Sequence, residues 1–203
     1  MSILDKRNVL SKIGQIDKLV LELGCGNKKR LDNSVGIDAL DYDCVDIVGD
    51  VYEILQKIPD NCVSAIYSRH FVEHVIDFKI LMSELARVLV PGGTVEIIAP
   101  HFSNPYYYSD HTHKHYFGLY TLSYFCKDTV LRRKVPNYKI EPEFKLISVD
   151  LGFKSSPPFY VRHALKLTLG NLFNLTTYMK EFYEENLCYL FPCYEINYRL
   201  IKI

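Results

Sequence analysis

The sequence lacks tryptophan, an excess of either charge and any long apolar run. Lysine plus arginine and aspartate plus glutamate number 24 each, so the totals indicate no field that would attract nucleic acid or an anionic membrane. No apolar run approaches the roughly 18 residues that suggest a membrane span. Without tryptophan, an aromatic pocket wall has to come from the 16 tyrosines and 11 phenylalanines. These absences predict a chain with no membrane span and no nucleic-acid partner.

Patterns for disulfides, zinc sites and export are missing as well. The six cysteines are scattered and include no C-x-x-C pair. The first residues, Met-Ser-Ile-Leu-Asp-Lys, do not follow the charged and then apolar order of an export signal. We therefore expect reduced thiols and a cytoplasmic location. A chain of 203 residues can bury a core without disulfides or metal, so we expect one domain over residues 1–203.

The most informative stretch that is present is VLELGCGN, residues 20–27. A short apolar run that ends at glycine is typical of a strand buried on both faces. Gly24 and Gly26 permit backbone conformations and a close ligand approach that a residue with a Cβ would resist. Because ligands of open α/β sheets bind beyond the carboxyl ends of the strands, this turn is the first candidate for a cofactor site.

Short apolar runs then alternate with helical patterns, which predicts a Rossmann-like, doubly wound, mainly parallel sheet of about seven strands in a three-layer sandwich. We expect strands at 18–23, 34–37, 45–48, 63–67, 94–99 and 144–149, and helices at 3–14, from 51, at 77–89 and at 119–126. Residues 155–192 are predicted to be a helical insertion of two helices, broken near 170–171. Alternation of apolar and polar residues over 195–203 predicts a last strand that is antiparallel and lies at or near the sheet edge.

This order of elements resembles the class I S-adenosylmethionine-dependent methyltransferases, in particular the small single-domain, methyltransferase type 11-like proteins, over about residues 18–100. The motif that carries the resemblance is Glu22-Leu23-Gly24-Cys25-Gly26-Asn27-Lys28, with Lys28 where the family usually has a third glycine. The resemblance implies S-adenosylmethionine as the methyl donor. It also implies that Asp38 binds the ribose hydroxyls and that Asp50 lies near the adenine amine. The residues that it assigns to the donor are Glu22, Gly24, Cys25, Gly26, Asp38, Ala39, Asp50, Val51, Ser68, Arg69 and His70.

A dinucleotide-binding enzyme is the main alternative within this fold class, because it uses the same kind of carboxylate. Such enzymes need G-x-G-x-x-G at the start of a full helix and an acidic residue about 20 residues further on. Here Lys28 and Lys29 follow Asn27, and Asp38 comes only 14 residues after Gly24. The spacing therefore favours a methyl donor over a pyrophosphate.

The loop over residues 101–117 contains the candidates for chemistry on the acceptor. Small methyltransferases often have an Asp-x-Thr-His stretch after the fifth strand, and its counterpart here is Asp110-His111-Thr112-His113. The resemblance implies that Asp110, His113 and His111 are catalytic, and histidine can accept a proton near neutral pH because its ordinary pKa is about 6.5. The predicted substrate-binding residues are His74, His101, Tyr106, Tyr107 and His115. The alternative is that these histidines only cap and brace the loop.

His111, His113 and His115 alternate, which also raises a metal site as a hypothesis. Alternating histidines in a loop need not converge, so we predict no metal. The predicted function is methylation of a small polar acceptor, an oxygen of a sugar, nucleotide sugar or related metabolite. A non-catalytic module that binds S-adenosylmethionine or a partner protein remains the alternative. The uncharged stretch 167–179 is typical of a core helix or a dimer helix, so a homodimer also stays open.

Overall fold

A computed structural model describes residues 2–136, 138 and 140–203. In this part of the chain nine strands form one sheet, in the order β1-β4-β3-β2-β5-β6-β9-β8-β7. The strands are β1 Leu4–Asp5, β2 Leu19–Leu23, β3 Val35–Asp38, β4 Ile47–Val48, β5 Val63–Arg69, β6 Leu89–Pro100, β7 Cys126–Asp128, β8 Phe144–Gly152 and β9 Glu195–Lys202. The α-helices are α1 Val51–Leu55, α2 Phe78–Val88, α3 Tyr160–Phe173 and α4 Thr177–Asn186. Three short 3₁₀ helices cover Ile13–Gln15, Tyr107–Ser109 and Thr121–Phe125.

The centre of the sheet is parallel, which confirms the predicted fold class. Strands β4, β3, β2, β5 and β6 all run in the same direction, so their carboxyl ends meet at one edge. The last strand, β9, is antiparallel to both β6 and β8, as predicted. It does not lie at the sheet edge, however, because β8 and β7 follow it. Its alternation reflects one buried and one partly exposed face. The two strands missed by the prediction, β1 and β7, are too short to show a periodic pattern.

The helix predicted over 3–14 is wrong. The described residues there form β1, turns and the 3₁₀ helix Ile13–Gln15. The carboxylate of Asp5 accepts hydrogen bonds from the backbone amides of Val9 and Leu10, both at 2.8 Å. Such side-chain acceptors compete with helical hydrogen bonds, and β1 is held separately by pairing with β4. The apolar spacing in this segment still buries Val9 and Ile13.

The helix α2 is confirmed almost to its predicted ends. Asp77 caps it, because its carboxylate accepts a hydrogen bond of 2.9 Å from the amide of Ile80. The apolar face is buried, with Leu81 and Leu85 fully inaccessible. The short helix predicted from residue 51 is α1. The helix predicted at 119–126 is instead the 3₁₀ helix Thr121–Phe125.

The predicted insertion lies between β8 and β9 and does contain two helices, but the break is not at 170–171. It lies between α3 and α4, where the hydroxyl of Thr176 accepts a hydrogen bond of 3.1 Å from the amide of Met179. Gly170 lies inside α3, where an added Cβ would come within 2.8 Å of the Phe153 ring. This glycine therefore permits close packing and does not end the helix. None of the described helices is both long enough and apolar enough to cross a membrane.

Candidate active site

The turn after β2 is held in a left-handed conformation at its two glycines. Gly24 has φ +65° and Gly26 has φ +59°. A Cβ added to Gly24 would lie 2.4 Å from the Cβ of Phe71, whereas one added to Gly26 would meet no atom of the described residues within 4 Å. Gly24 is therefore required for both space and conformation, and Gly26 for conformation alone. The amide of Gly26 donates a hydrogen bond of 2.8 Å to Asp38, which joins the turn to the end of β3.

Asp38 and Asp50 border a mainly apolar pocket beyond the ends of β3 and β4. We call it the apolar pocket; its lining residues are Ile37, Asp38, Ala39, Gly49, Asp50, Val51, Tyr52, Phe71, His74, Val75 and Ile76. The Asp38 carboxylate also accepts a bond of 2.9 Å from the amide of Leu40. Asp50 caps α1, accepting from the amides of Tyr52 at 2.9 Å and Glu53 at 3.2 Å. Both carboxylates are thus oriented by backbone donors.

Glu22 holds a neighbouring loop. Its carboxylate is buried and accepts bonds from the amides of Arg30 at 2.8 Å and Leu31 at 3.1 Å, and from the hydroxyl of Ser34 at 3.1 Å. These bonds support residues 30–34, which follow the turn that lacks its third glycine. Burial and the nearby charge of Asp38 raise the pKa of the Cys25 thiol to about 12, so this cysteine is protonated at neutral pH.

A second, polar pocket lies beside the turn, lined by Glu22, Gly24, Cys25, Asn27, Lys28, Arg30, Arg69, His70, Lys154 and Tyr194. Glu195, at the start of β9, organises one side of this polar pocket. Its Oε2 atom lies 3.0 Å from His70 Nε2, 3.2 Å from Arg69 Nη2 and 3.3 Å from Lys154 Nζ. Lys154 Nζ also lies 4.0 Å from the centroid of the Tyr194 ring. Sequence reasoning missed Lys154, Tyr194 and Glu195. The antiparallel direction of β9 was the signal, because it puts the first residue of that strand at the carboxyl edge of the parallel strands.

The ion cluster at Glu195 predicts a stability effect that depends on pH. Burial alone would raise the pKa of Glu195, but the bond from His70 and the charges of Lys154 and Arg69 lower it from 4.5 to about 2. We expect Glu195→Gln to lower the free energy of unfolding by about 3 kcal/mol at pH 7. Because the folded pKa is the lower one, this contribution is full above pH 4.5 and is lost as the pH falls toward 2. Urea unfolding at several pH values measures it. An equal loss at pH 7 and pH 3, or the same loss in the exposed control Glu185→Gln, would contradict this expectation.

The third pocket, which we call the histidine pocket, lies between the ends of β5 and β6. Its lining residues are His70, Glu73, His74, Pro100, Asn104, Tyr106, Tyr107, Asp110, His113 and Tyr194. It shares His70 and Tyr194 with the polar pocket and His74 with the apolar pocket, so the three pockets are contiguous. The structure therefore brings together five predicted residues of the acceptor side, namely His74, Tyr106, Tyr107, Asp110 and His113.

Four predicted residues lie elsewhere. His101 is completely buried, with Nδ1 at 2.8 Å from Ser103 Oγ and Nε2 at 3.1 Å from Glu184. His115 Nε2 donates to the carbonyl of Val75 at 2.9 Å, so both histidines brace the fold, as the alternative interpretation expected. His111 is exposed and does not line the histidine pocket. Ser68 is completely buried and lines none of the three pockets, unlike Arg69 and His70.

Hydrogen bonds fix the ring orientation of His74 and His113. The hydroxyl of Thr112 donates to Asp110 Oδ1 at 2.6 Å, so it must accept from His74 Nδ1, 2.8 Å away. His113 Nδ1 donates to the carbonyl oxygen of Tyr107 at 2.8 Å. The Nε2 atoms of both rings therefore carry basic lone pairs. Bonds from Thr112 lower the pKa of Asp110, whose Oδ2 atom lies 3.6 Å from His113 Nε2.

Comparison with known proteins identifies the domain. Residues 21–97, from β2 into β6, match the family model described as a methyltransferase domain. This part of the chain is therefore similar to a methyltransferase domain. The match includes the glycine turn, Asp38, Asp50 and the end of β5. No curated protein sequence matches the chain.

Solved structures of several proteins share this fold. A SAM-dependent methyltransferase from Archaeoglobus fulgidus is 18% identical and aligns over 97% of this chain and 90% of its own, with a TM-score of 0.59. The MccD protein is 14% identical over 97% of each chain, with a TM-score of 0.52. A phosphoethanolamine N-methyltransferase 2 of Haemonchus contortus, also 14% identical with a TM-score of 0.52, aligns over 96% of this chain but 51% of its own. At these identities the likeness shows the fold alone.

The pockets fit S-adenosylmethionine, the methyl donor that the resemblance implies. S-adenosylmethionine has a nucleoside at one end and a charged amino acid at the other. The apolar pocket offers hydrophobic walls together with the Asp38 carboxylate, which matches a nucleoside. The polar pocket offers a carboxylate and several cationic side chains around Gly24, which matches an amino acid.

Proposed function

We propose that this methyltransferase transfers the methyl group of S-adenosylmethionine to an oxygen of a small polar acceptor, a sugar or related metabolite, bound in the histidine pocket. The observation that carries the proposal is the position of His113. Its Nε2 atom is a basic nitrogen with a fixed tautomer on a pocket that adjoins both donor pockets. A small polar acceptor also agrees with the Haemonchus contortus enzyme, whose structure contains phosphomonomethylethanolamine.

The donor, when bound, supplies a methyl group on a positively charged sulfur. We assign its nucleoside to the residues of the apolar pocket, with Asp38 on the ribose hydroxyls and Ala39, Asp50 and Val51 near the base. We assign its amino acid to the polar pocket, beside Gly24, Cys25, Arg69 and His70. Glu22 and Gly26 act by holding the loop and the turn. Ser68 lies too deep to take part directly.

On the acceptor side, the protein has to align a hydroxyl for displacement and to remove its proton. His113 Nε2 is the proton acceptor in this proposal. The charged Asp110 beside it stabilises the imidazolium that forms, because its carboxylate lies 3.6 Å from Nε2. Tyr106 and Tyr107 form the aromatic side of the pocket, which suits the carbon face of a sugar ring. The catalytic role of His111 stays a prediction.

Measurements of donor binding test the assignment of Asp38 to the ribose of S-adenosylmethionine. Asp38→Ala is expected to weaken the binding of S-adenosylhomocysteine by about 1.5–3 kcal/mol, or roughly 10- to 150-fold, because charge-assisted hydrogen bonds are lost. Calorimetry measures the affinity, and thermal unfolding checks that the turn still folds without the bond to Gly26. Asp43→Ala is the matched control, since Asp43 is exposed in the following loop. Unchanged affinity in Asp38→Ala would contradict the ribose assignment.

Measurements of turnover test the proposed methyl transfer to an oxygen of a small polar acceptor. Release of S-adenosylhomocysteine is measured with a panel of sugars, nucleotide sugars and hydroxylated metabolites. Methylation of at least one of them at oxygen is expected. Donor binding with no turnover on any acceptor would instead favour the non-catalytic binding module.

We also propose a cytoplasmic location, which the six unpaired thiols support. A homodimer remains a hypothesis, supported by the apolar residues that α3 exposes, such as Val161 and Leu165.

A further inference from the structure

Three potential metal ligands meet on the histidine pocket. Glu73, His74 and His113 each offer one ligand atom, and these atoms all lie within 4.8 Å of one another. Glu73 and His74 follow β5, whereas His113 belongs to the loop after β6. The pattern considered from the sequence combined His113 with His111 and His115, neither of which lines the histidine pocket. The arrangement seen here is therefore a different one.

Both histidines are oriented as metal ligands usually are. A metal-binding histidine donates its other ring N–H to a carboxylate, carbonyl or hydroxyl, which fixes the tautomer and aims the free nitrogen. His113 donates from Nδ1 to the Tyr107 carbonyl, and His74 donates from Nδ1 to Thr112, which in turn donates to Asp110. Each ring thus presents Nε2 as a lone pair. One oriented imidazole is enough to bind an acceptor hydroxyl. The histidine pocket contains two, and a metal ion would use both.

Glu73 supplies an independent observation. Its side chain is only 1% exposed, and its Oε2 atom is buried without a hydrogen-bond partner among the residues that the structure describes. The other oxygen, Oε1, lies 3.8 Å from His74 Nε2 and 3.6 Å from His70 Nδ1. A buried carboxylate oxygen without a partner is costly and requires an explanation. A cation bound between this carboxylate and the two imidazoles would compensate the buried negative charge.

We propose that Glu73, His74 and His113 bind a divalent transition-metal ion of the zinc type at the histidine pocket. Two imidazoles and one carboxylate with an open position are a ligand set of catalytic zinc sites, and imidazole nitrogen selects against Mg²⁺ and Ca²⁺. Bonds of about 2.0–2.1 Å put tetrahedral ligands about 3.3 Å apart, so the three side chains have to close by at most about 1.5 Å. The half-exposed His74 has the freedom to make this movement.

The ion would leave one position open toward the pocket. An acceptor hydroxyl bound there would lie against a positive charge that lowers its pKa, so in the metal-bound form the ion would assist its deprotonation, and His113 would be the proton acceptor only in the metal-free form. This consequence rests on the proposed function, whereas metal binding by the three side chains does not.

The experiment titrates chelator-treated protein with Zn²⁺ and Co²⁺, without donor or acceptor. One ion per chain is expected by calorimetry, with visible Co²⁺ absorption bands from a site of low coordination number. His74→Ala should weaken Zn²⁺ binding by more than about 100-fold, and Thr112→Val, which removes only the orienting bond, by about 10- to 100-fold. His111→Ala is the matched control from the same loop and should bind Zn²⁺ as the wild type does. Glu73→Gln should also lose Zn²⁺, with circular dichroism to confirm its fold.

Two results would overturn the metal site. One is the absence of stoichiometric Zn²⁺ binding in the wild type. The other is an equal loss of binding in His111→Ala and His74→Ala, since that would place the ion on the exposed loop. Because no methyl donor is present in these titrations, a failure of the proposed methyl transfer would leave their outcome unchanged.

Discussion

Replacing His113 by alanine is expected to lower the turnover of methyl transfer by roughly 10²- to 10⁴-fold, while the affinity for S-adenosylhomocysteine stays the same. The reason is that His113 lines the histidine pocket but neither of the two donor pockets. Steady-state kinetics with the best acceptor and calorimetry with S-adenosylhomocysteine measure the two quantities. A parallel loss of donor affinity would contradict the assignment of His113 to the acceptor side.

His163→Ala is the control for this prediction. His163 lies in α3, where its Nδ1 atom accepts a bond of 3.1 Å from the amide of Ser155, and it lines none of the three pockets. Its substitution should leave turnover close to that of the wild type. Turnover of chelator-treated wild-type protein distinguishes the two proposed roles of His113. If His113 acts as a proton acceptor, methyl transfer continues without metal. If it acts as a metal ligand, removal of the metal abolishes methyl transfer.

Replacing Gly24 by alanine is expected to destabilise the fold by about 2–5 kcal/mol and to abolish measurable donor binding. A left-handed conformation costs a residue with a Cβ about 1–2 kcal/mol, and overpacking costs about 1–3 kcal/mol more. The overpacking arises because the new methyl group would lie 2.4–2.6 Å from three carbon atoms of Phe71, which also lines the apolar pocket. Urea unfolding and calorimetry with S-adenosylhomocysteine measure the two effects.

Two further glycines make this prediction specific. Gly26→Ala should show only the conformational cost, because nothing lies within 4 Å of its Cβ position. Gly14→Ala should be neutral or slightly stabilising, since Gly14 has free space and no positive φ. The expected order of destabilisation is therefore Gly24 above Gly26 above Gly14. The same small effect at all three positions would contradict both the overpacking against Phe71 and the conformational cost at the two left-handed glycines.

Local patterns were sufficient to predict the glycine turn, the end of β3 and the helix α2. The run before Gly24, the acidic end of β3 at Asp38 and the Asp77 cap of α2 are all signals within a few residues of one another. They indicate strands, turns and helix ends without knowledge of distant contacts. The helix expected over 3–14 shows the limit of this reasoning, because one carboxylate, that of Asp5, was enough to redirect the local hydrogen bonds.

Sites made from distant segments could not be predicted in the same way. Glu195 joins Arg69 and His70 across 126 and 125 positions, which depends on the register of β9 against β6. His74 and His113, which the sequence analysis assigned to the acceptor side, become neighbours because their loops follow the adjacent strands β5 and β6. Local sequence spacing instead favoured His111 and His115 as partners of His113, and neither side chain joins it at the pocket.

The position of β9 inside the sheet has a consequence for how the protein folds. β7 and β8 are hydrogen-bonded to the rest of the sheet only through β9 among the described strands. Its bonds to β6 are long-range, as between Asn197 and Glu96, which are 101 positions apart. Such contacts form slowly because a long chain segment has to be closed first. Until β9 is inserted, the neighbouring edges of β6 and β8 are open to pairing with other chains, so we expect aggregation during folding to depend on how fast this one strand is inserted.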